Sequence, residues 1–193
     1  MIVISNPTTV TNEVNTIHSL FENGLELLHI RKPDYSEKEM KAFLSEIKTD
    51  FRQQLVLHSY HQLADEFGIN RIQTPFRVSN SERVKENGIV FSTSTHSIDE
   101  FNSLTNAFEY AFLSPVFPSI SKENYHSKTD LFAAIKKRTN FNTKIIALGG
   151  IQSENINQIL QAGFENIALL GTIWNSSNAI ENFKLCQQAV LSY

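Results

Sequence analysis

Residues 144–174 read KIIALGGIQSENINQILQAGFENIALLGTIW. Two apolar runs, KIIAL and NIALL, each end in glycine, and between them NINQILQAG carries apolar residues at helical spacing. Gly163 falls between that helical stretch and the second run, where helices end in a left-handed residue. Gly149, Gly150 and Gly171 fall at the far ends of the runs, where a missing side chain lets a ligand approach the backbone. Strand, helix and strand in this order predict a right-handed βαβ unit and a parallel sheet.

The same alternation extends over the chain. The β-rich apolar runs are IVIS (2–5), LELLHI (25–30), LVLH (55–58), NRIQ (70–73), IVFSTS (89–94), YAFLS (110–114), KIIALGG (144–150) and NIALLG (166–171). Amphipathic stretches separate most of them: VNTIHSLFENG, EKEMKAFLSEIKTDF, IDEFNSLTNAF, LFAAIKKR and NINQILQAG, with AIENFKLCQQAVLSY at the end. Eight such repeats predict a closed (β/α)8 TIM barrel. At 193 residues it is a compact one, below the usual size of about 250. The third and fourth units are compressed, with only Ser59 to Ile69 between LVLH and NRIQ. A doubly wound open sheet is the competing topology, disfavoured because no Gly-rich turn follows the first run.

With 41% hydrophobic and 19% charged residues, residues 1–193 are read as a single globular domain. The net charge of −3 offers no basic surface for nucleic acid. The lone cysteine, Cys186, reads as packing. No run approaches the ~18 apolar residues of a membrane span. MIVISNPTTV lacks the basic region of a signal peptide, so a cytoplasmic protein is expected. A homodimer is left open.

The sixth run leads into SPVFPSISKENYHSK, residues 114–128. A plain turn needs Gly, Asn or Pro, not two hydroxyls two apart followed by a lysine. Ser119, Ser121 and Lys122 suit a bound anion. In a barrel this loop shares its rim with the glycine turns after the seventh and eighth runs, where phosphate often binds. Ile151-Gln152-Ser153 leads into a helix whose first amides suit an anion. A phosphorylated ligand is therefore expected among Ser119, Ser121, Lys122, Gly149, Gly150, Gly171 and Thr172.

These residues resemble a family. PVFPSISK is similar to the Pro-x-Phe-x-Thr-x-Thr-Lys segment of thiamine phosphate synthases and their TenI-type thiazole tautomerase relatives. IIALGGI, STSTHSIDEF and GFENIALLGTI resemble further segments of that family, in the same order along the chain. The resemblance implies phosphate or diphosphate binding at the seven residues just named, and a pyrimidine contact at Ser94. It implies a phosphorylated thiazole and a pyrimidine diphosphate as ligands.

The departures are as informative. The family's Gln-x-Arg-x-Lys is here His29-Ile30-Arg31-Lys32-Pro33, which keeps Arg31 and displaces the lysine by one. Gln73 matches a family glutamine. The two family aspartates that hold Mg²⁺ correspond to Ser59 and Pro75. No metal site or cofactor is assigned: Mg²⁺ is the one candidate, and its usual ligands are missing. Arg31, Lys32, Arg71 and Lys122 are candidates to neutralise a departing diphosphate, and Asp34 is a stray candidate ligand. The tautomerase histidine is replaced by Pro115. His126 is the candidate base in that loop, with His29 and His58 as rivals at strand ends. His96 is read as ordering a turn, and Trp174 as packing. Three readings stay open, with Arg31, Lys122 and His126 as the catalytic candidates: a diverged synthase, a thiazole phosphate tautomerase, and a non-catalytic binder of a phosphorylated ligand. A different barrel enzyme acting on sugar phosphates is disfavoured by the STSTH and SISK stretches.

Overall fold

A computed structural model describes residues 1–76, 88–118 and 130–193. Its strands are β1 Ile2–Ile4, β2 Leu27–Ile30, β3 Leu55–Leu57, β4 Arg71–Gln73, β5 Val90–Thr95, β6 Phe108–Leu113, β7 Lys144–Leu148 and β8 Asn166–Leu169. They close in sequence order into a parallel barrel, with β8 pairing back onto β1 through Ile2 and Ala168. The open-sheet alternative is thereby excluded, and all eight apolar runs supply strands.

Between the strands lie α1 Glu13–Glu22, α2 Glu37–Glu46, α3 Ala64–Phe67, α4 Ile98–Asn102, α5 Leu131–Ala134 and α6 Ile156–Gln161. After β8 come the short α7, Gly171–Trp174, and the terminal α8, Ala179–Leu191, which packs against α1 and α6. Local chemistry sets these bounds. Ser36 and Glu39 form a reciprocal capping box at the start of α2. The expected helix IDEFNSLTNAF is shorter than its pattern, because it ends at Asn102 and Phe108 already begins β6. Trimming of this kind fits a barrel of this length.

Side chains alternate across each strand. Outward residues such as Val3, Leu28, Leu57, Ala111, Ile145 and Ile167 join the helices in the main core. Inward residues Ile2, Ile4, Tyr110, Phe112, Ile146 and Ala168 fill the barrel. A barrel interior is ordinarily dominated by branched apolar side chains. This one is apolar on the β1, β7 and β8 side and polar on the other, where His29, Gln73, Ser92 and Tyr110 are buried. Among the described residues no helix is long and apolar enough to cross a membrane.

Candidate functional site

A cavity of about 600 Å³ opens at the C-terminal end of the barrel. The β7 exit, Gly149 to Ile151, and the β8 exit, Gly171 and Thr172, form one wall. Asn6, Pro7 and Thr8 of the β1 exit form another, continued by Arg31 of the neighbouring β2 exit, and Ser94 and His96 line the opening from β5. Ile4, Leu148, Ala168 and Leu170 supply its apolar lining. Of the residues named from sequence, the structure gathers Arg31, Ser94, Gly149, Gly150, Gly171 and Thr172 around this space. Ser119, Ser121, Lys122 and His126 lie outside the described residues.

The two glycine turns are held by specific bonds. Thr172 donates its hydroxyl to the Ile151 carbonyl, which ties the β8 exit to the β7 exit. That hydrogen is therefore engaged within the protein. Asn155 Nδ2 donates to the Gly150 carbonyl at 2.9 Å, while its Oδ1 accepts from the Gln152 amide at 3.0 Å. Gly149 and Gly150 have φ of 105° and 64°, values that favour glycine. The space a side chain would fill there is taken by protein: a Cβ at Gly149 would lie 2.8 Å from Pro115 Cβ, and one at Gly150 2.5 Å from the Pro118 carbonyl oxygen. These glycines accommodate the β6 exit, which also bonds the β7 end through Val116 N to Leu148 O at 3.0 Å.

Arg31 is positioned by a residue that sequence reading missed. The buried Ser5 hydroxyl accepts from the Arg31 amide at 2.8 Å and donates to the Arg31 carbonyl at 3.3 Å. Both backbone groups of Arg31 are thus clamped to the β1 exit, and Arg31 is the only Lys or Arg among the described lining residues. Lys32, one residue on, is a correction. A one-residue step puts it on the opposite face. It leaves the mouth, is fully buried, and meets Glu13 Oε2 of α1 at 2.5 Å and the Thr8 carbonyl at 3.0 Å. It therefore cannot serve a ligand in the cavity. Arg71 is likewise misplaced for that task, since it opens β4 at the far end of the strand and pairs with Glu109 at 3.4 Å.

His29 sits inside the barrel rather than at the rim, whereas the half-buried His58 directly follows the end of β3. His29 Nδ1 lies 2.9 Å from His58 Nε2, and His29 Nε2 lies 2.7 Å from the Tyr110 hydroxyl. Burial, then the neighbouring charges of His58 and Arg71, holds His29 well below its usual pKa. Burial, then Arg31 and His61, pushes His58 down to about 3. Both are neutral near pH 7, and His29 is shut off from the cavity. Gln73 is also buried, and it bonds Ser94, which does line the cavity. His96 orders the β5 exit through Nδ1 and the Ser114 carbonyl at 3.0 Å, as expected, and also lines the cavity. Trp174 packs on the main core and donates its indole N–H to the Ile4 carbonyl at 2.7 Å.

No Asp or Glu is found among the described lining residues, and the described residues hold no group of three or more His, Cys, Asp or Glu able to take a metal. The Ser59 hydroxyl is buried without a hydrogen-bond partner among the described residues. Pro75 has no side-chain donor atom for a metal.

A family model described as thiamine monophosphate synthase matches residues 1–173. The thiamine-phosphate synthase of Dictyoglomus turgidum is 25% identical over 177 residues, covering 87% of this chain and 78% of that protein. A crystal structure of thiamine phosphate pyrophosphorylase from Bacteroides thetaiotaomicron superposes with a TM-score of 0.79 at 29% identity, covering 98% of this chain and 96% of that one. The Pyrococcus furiosus thiamine phosphate pyrophosphorylase, at 15% identity and a TM-score of 0.77, covers 99% of this chain and 95% of its own and shares the fold.

Proposed function

The chain belongs to the thiamine monophosphate synthase family, and from that premise we propose that it is a thiamine-biosynthesis protein of diverged chemistry. It binds phosphorylated thiazole and pyrimidine diphosphate in the rim cavity without a resident metal. The observation that carries this reading is the lining of that cavity: two tied exit turns and one clamped arginine, with no carboxylate among the described lining residues.

Coupling of the two ligands breaks the bond from the pyrimidine methylene to diphosphate and forms one from the thiazole nitrogen to that methylene. The diphosphate leaves with several negative charges, which a hard cation held by carboxylates ordinarily neutralises. The described residues do not fit such a cation, so no step is assigned to it. Arg31 supplies a fixed planar charge that suits phosphoryl oxygens. The turns at Gly149–Ile151 and Gly171–Thr172 present backbone to the same space. Ser94 offers a hydroxyl to the heterocycle.

One arginine replaces only part of the charge of a metal. Turnover of the coupling reaction is accordingly expected to be absent or slow, while ligand binding persists. The test incubates the protein with hydroxymethylpyrimidine diphosphate and thiazole phosphate, with and without Mg²⁺, and separates the products. Ser59→Asp combined with Pro75→Asp is expected to raise Mg²⁺-dependent product formation. Rapid Mg²⁺-dependent synthesis by the wild type contradicts the reading.

A further inference from the structure

Two neighbouring residues of the β2 exit reach the β1 exit from opposite sides. Arg31 lines the cavity, and its backbone is held by Ser5. Lys32 lies behind the wall, with its side chain fully buried. Its ammonium bonds the Thr8 carbonyl at 3.0 Å and Glu13 Oε2 at 2.5 Å. Thr8 belongs to the cavity wall, and Glu13 is the first residue of α1. One buried cation thus joins the wall of the cavity to the helix layer.

The Thr8 carbonyl is the point that is held. A backbone carbonyl oxygen has two lone pairs. Lys32 takes one, and Asn6 Nδ2 takes the other at 3.1 Å. Asn6 spends its second amide hydrogen on Thr8 Oγ1 at 2.9 Å. Asn6 therefore closes the loop on itself, and Lys32 ties it outward. A second outward tie lies one residue on, where Thr9 Oγ1 is 3.2 Å from the Tyr35 hydroxyl, but it is exposed and competes with water. Burial raises the Glu13 pKa, and Lys32, then the amides of Val10 and Asn6, pull it back, so both members of the ion pair face this loop.

We infer that Lys32 is a positioning residue for the cavity: through the Thr8 carbonyl it holds the Asn6–Thr8 wall beside Arg31 and keeps a carbonyl oxygen directed away from the ligand. The effect on a ligand rests on the proposed occupancy of the cavity by a phosphorylated molecule. The tether itself does not. Charge gives the direction of that effect. Carbonyl and phosphoryl oxygens are both acceptors, and they repel at short range. The ammonium, shut off from the cavity, gives the Thr8 oxygen a partner on the far side. Without it the Thr8 carbonyl is free to turn toward the cavity.

The pair also carries stability, so the test separates the two roles. Lys32→Met combined with Glu13→Leu puts an apolar pair in the same space and is expected to keep most of the wild-type stability. Methionine donates nothing to Thr8. Calorimetric titration with thiazole phosphate is therefore expected to show the stable double variant binding roughly threefold or more weaker than wild type, the scale on which residues without ligand contact modulate a site. Wild-type affinity in a stable double variant assigns the pair a merely structural role and overturns the inference. If the double variant is too unstable to titrate, Lys32→Met alone is compared at low temperature with Leu44→Ala, a truncation of the buried face of α2 outside the cavity lining. Weakening confined to Lys32→Met supports the positioning role, and equal affinities overturn it. The tether is read without ligand from the Thr8 carbonyl carbon resonance of the full chain, which loss of a charged donor is expected to move upfield in the Lys32 variants. An unmoved resonance overturns the inference. A wild type that binds no thiazole phosphate overturns the proposed function, and the carbonyl resonance still decides the tether.

Discussion

Replacing Lys32 with methionine removes the cation of a buried pair while keeping most of the side-chain volume. The Lys32 and Glu13 side chains are 0% and 3% exposed and their charged atoms are 2.5 Å apart. The ammonium also bonds the Thr8 carbonyl and lies 5.3 Å and 5.1 Å from the ring centres of Tyr35 and Phe43. Burial already raises the Glu13 pKa, with the hydrogen bond and charge of Lys32 pulling it back down. Without Lys32 the carboxyl is left buried and unpaired, a loss of about 3–5 kcal/mol. That is a large share of the roughly 5–15 kcal/mol that holds a typical domain folded. A carboxyl whose folded pKa is raised loses stability as pH rises through that value, so the deficit is largest at neutral pH and shrinks on acidification. Urea denaturation followed by circular dichroism at pH 7 measures it. The double variant Lys32→Met with Glu13→Leu is expected to recover most of the loss, because an apolar pair replaces a buried ion pair at little cost. A single variant that costs under about 1 kcal/mol, or a double variant worse than either single one, refutes this account of the pair.

Three further outcomes follow. His29 and His58 have folded pKa values depressed below 6.5, His58 to about 3, so their stability contribution is present above pH 6.5 and declines toward pH 3; each contributes a slope of up to ~1.4 kcal/mol per pH unit, and His58→Gln is expected to flatten a denaturation series between pH 7.5 and 4.5. Gly150→Ala places a side chain at φ 64° against the Pro118 carbonyl, and a loss of at least ~2 kcal/mol is expected in the same denaturation assay. Arg31→Ala removes a charge-assisted contact of about 1.5–3 kcal/mol, and thiazole phosphate affinity by calorimetry is expected to fall roughly tenfold or more.

The fold was legible because its two periodicities are distinct. Runs such as KIIAL and NIALL are too short for helices and end in glycine, and the stretch between them repeats at helical spacing. The rim was legible where glycines and hydroxyls coincide with strand ends. What escaped the reading were facts of facing and of distance. Lys32 belongs to the same basic pair as Arg31 in sequence, but one step along an extended chain turns it into the helix layer. His29 follows the apolar residues of LELLHI and resembles a strand-end base, yet its register with Val56 and Ile4 puts it within the barrel. The clamp from Ser5 to Arg31 spans two strands, so no local spacing announces it. Gly149 and Gly150 line the cavity, and the space their missing side chains leave is taken by Pro115 and Pro118, contacts set by the packing of one exit loop on another.

The central claim, a rim cavity that binds a phosphorylated ligand without a resident metal, is tested most directly by calorimetric titration of the wild type with thiazole phosphate, once in excess Mg²⁺ and once in excess EDTA. The account predicts binding in both conditions with closely similar dissociation constants, because no carboxylate lines the described cavity. Binding that appears only with Mg²⁺, or no binding in either condition, would contradict it.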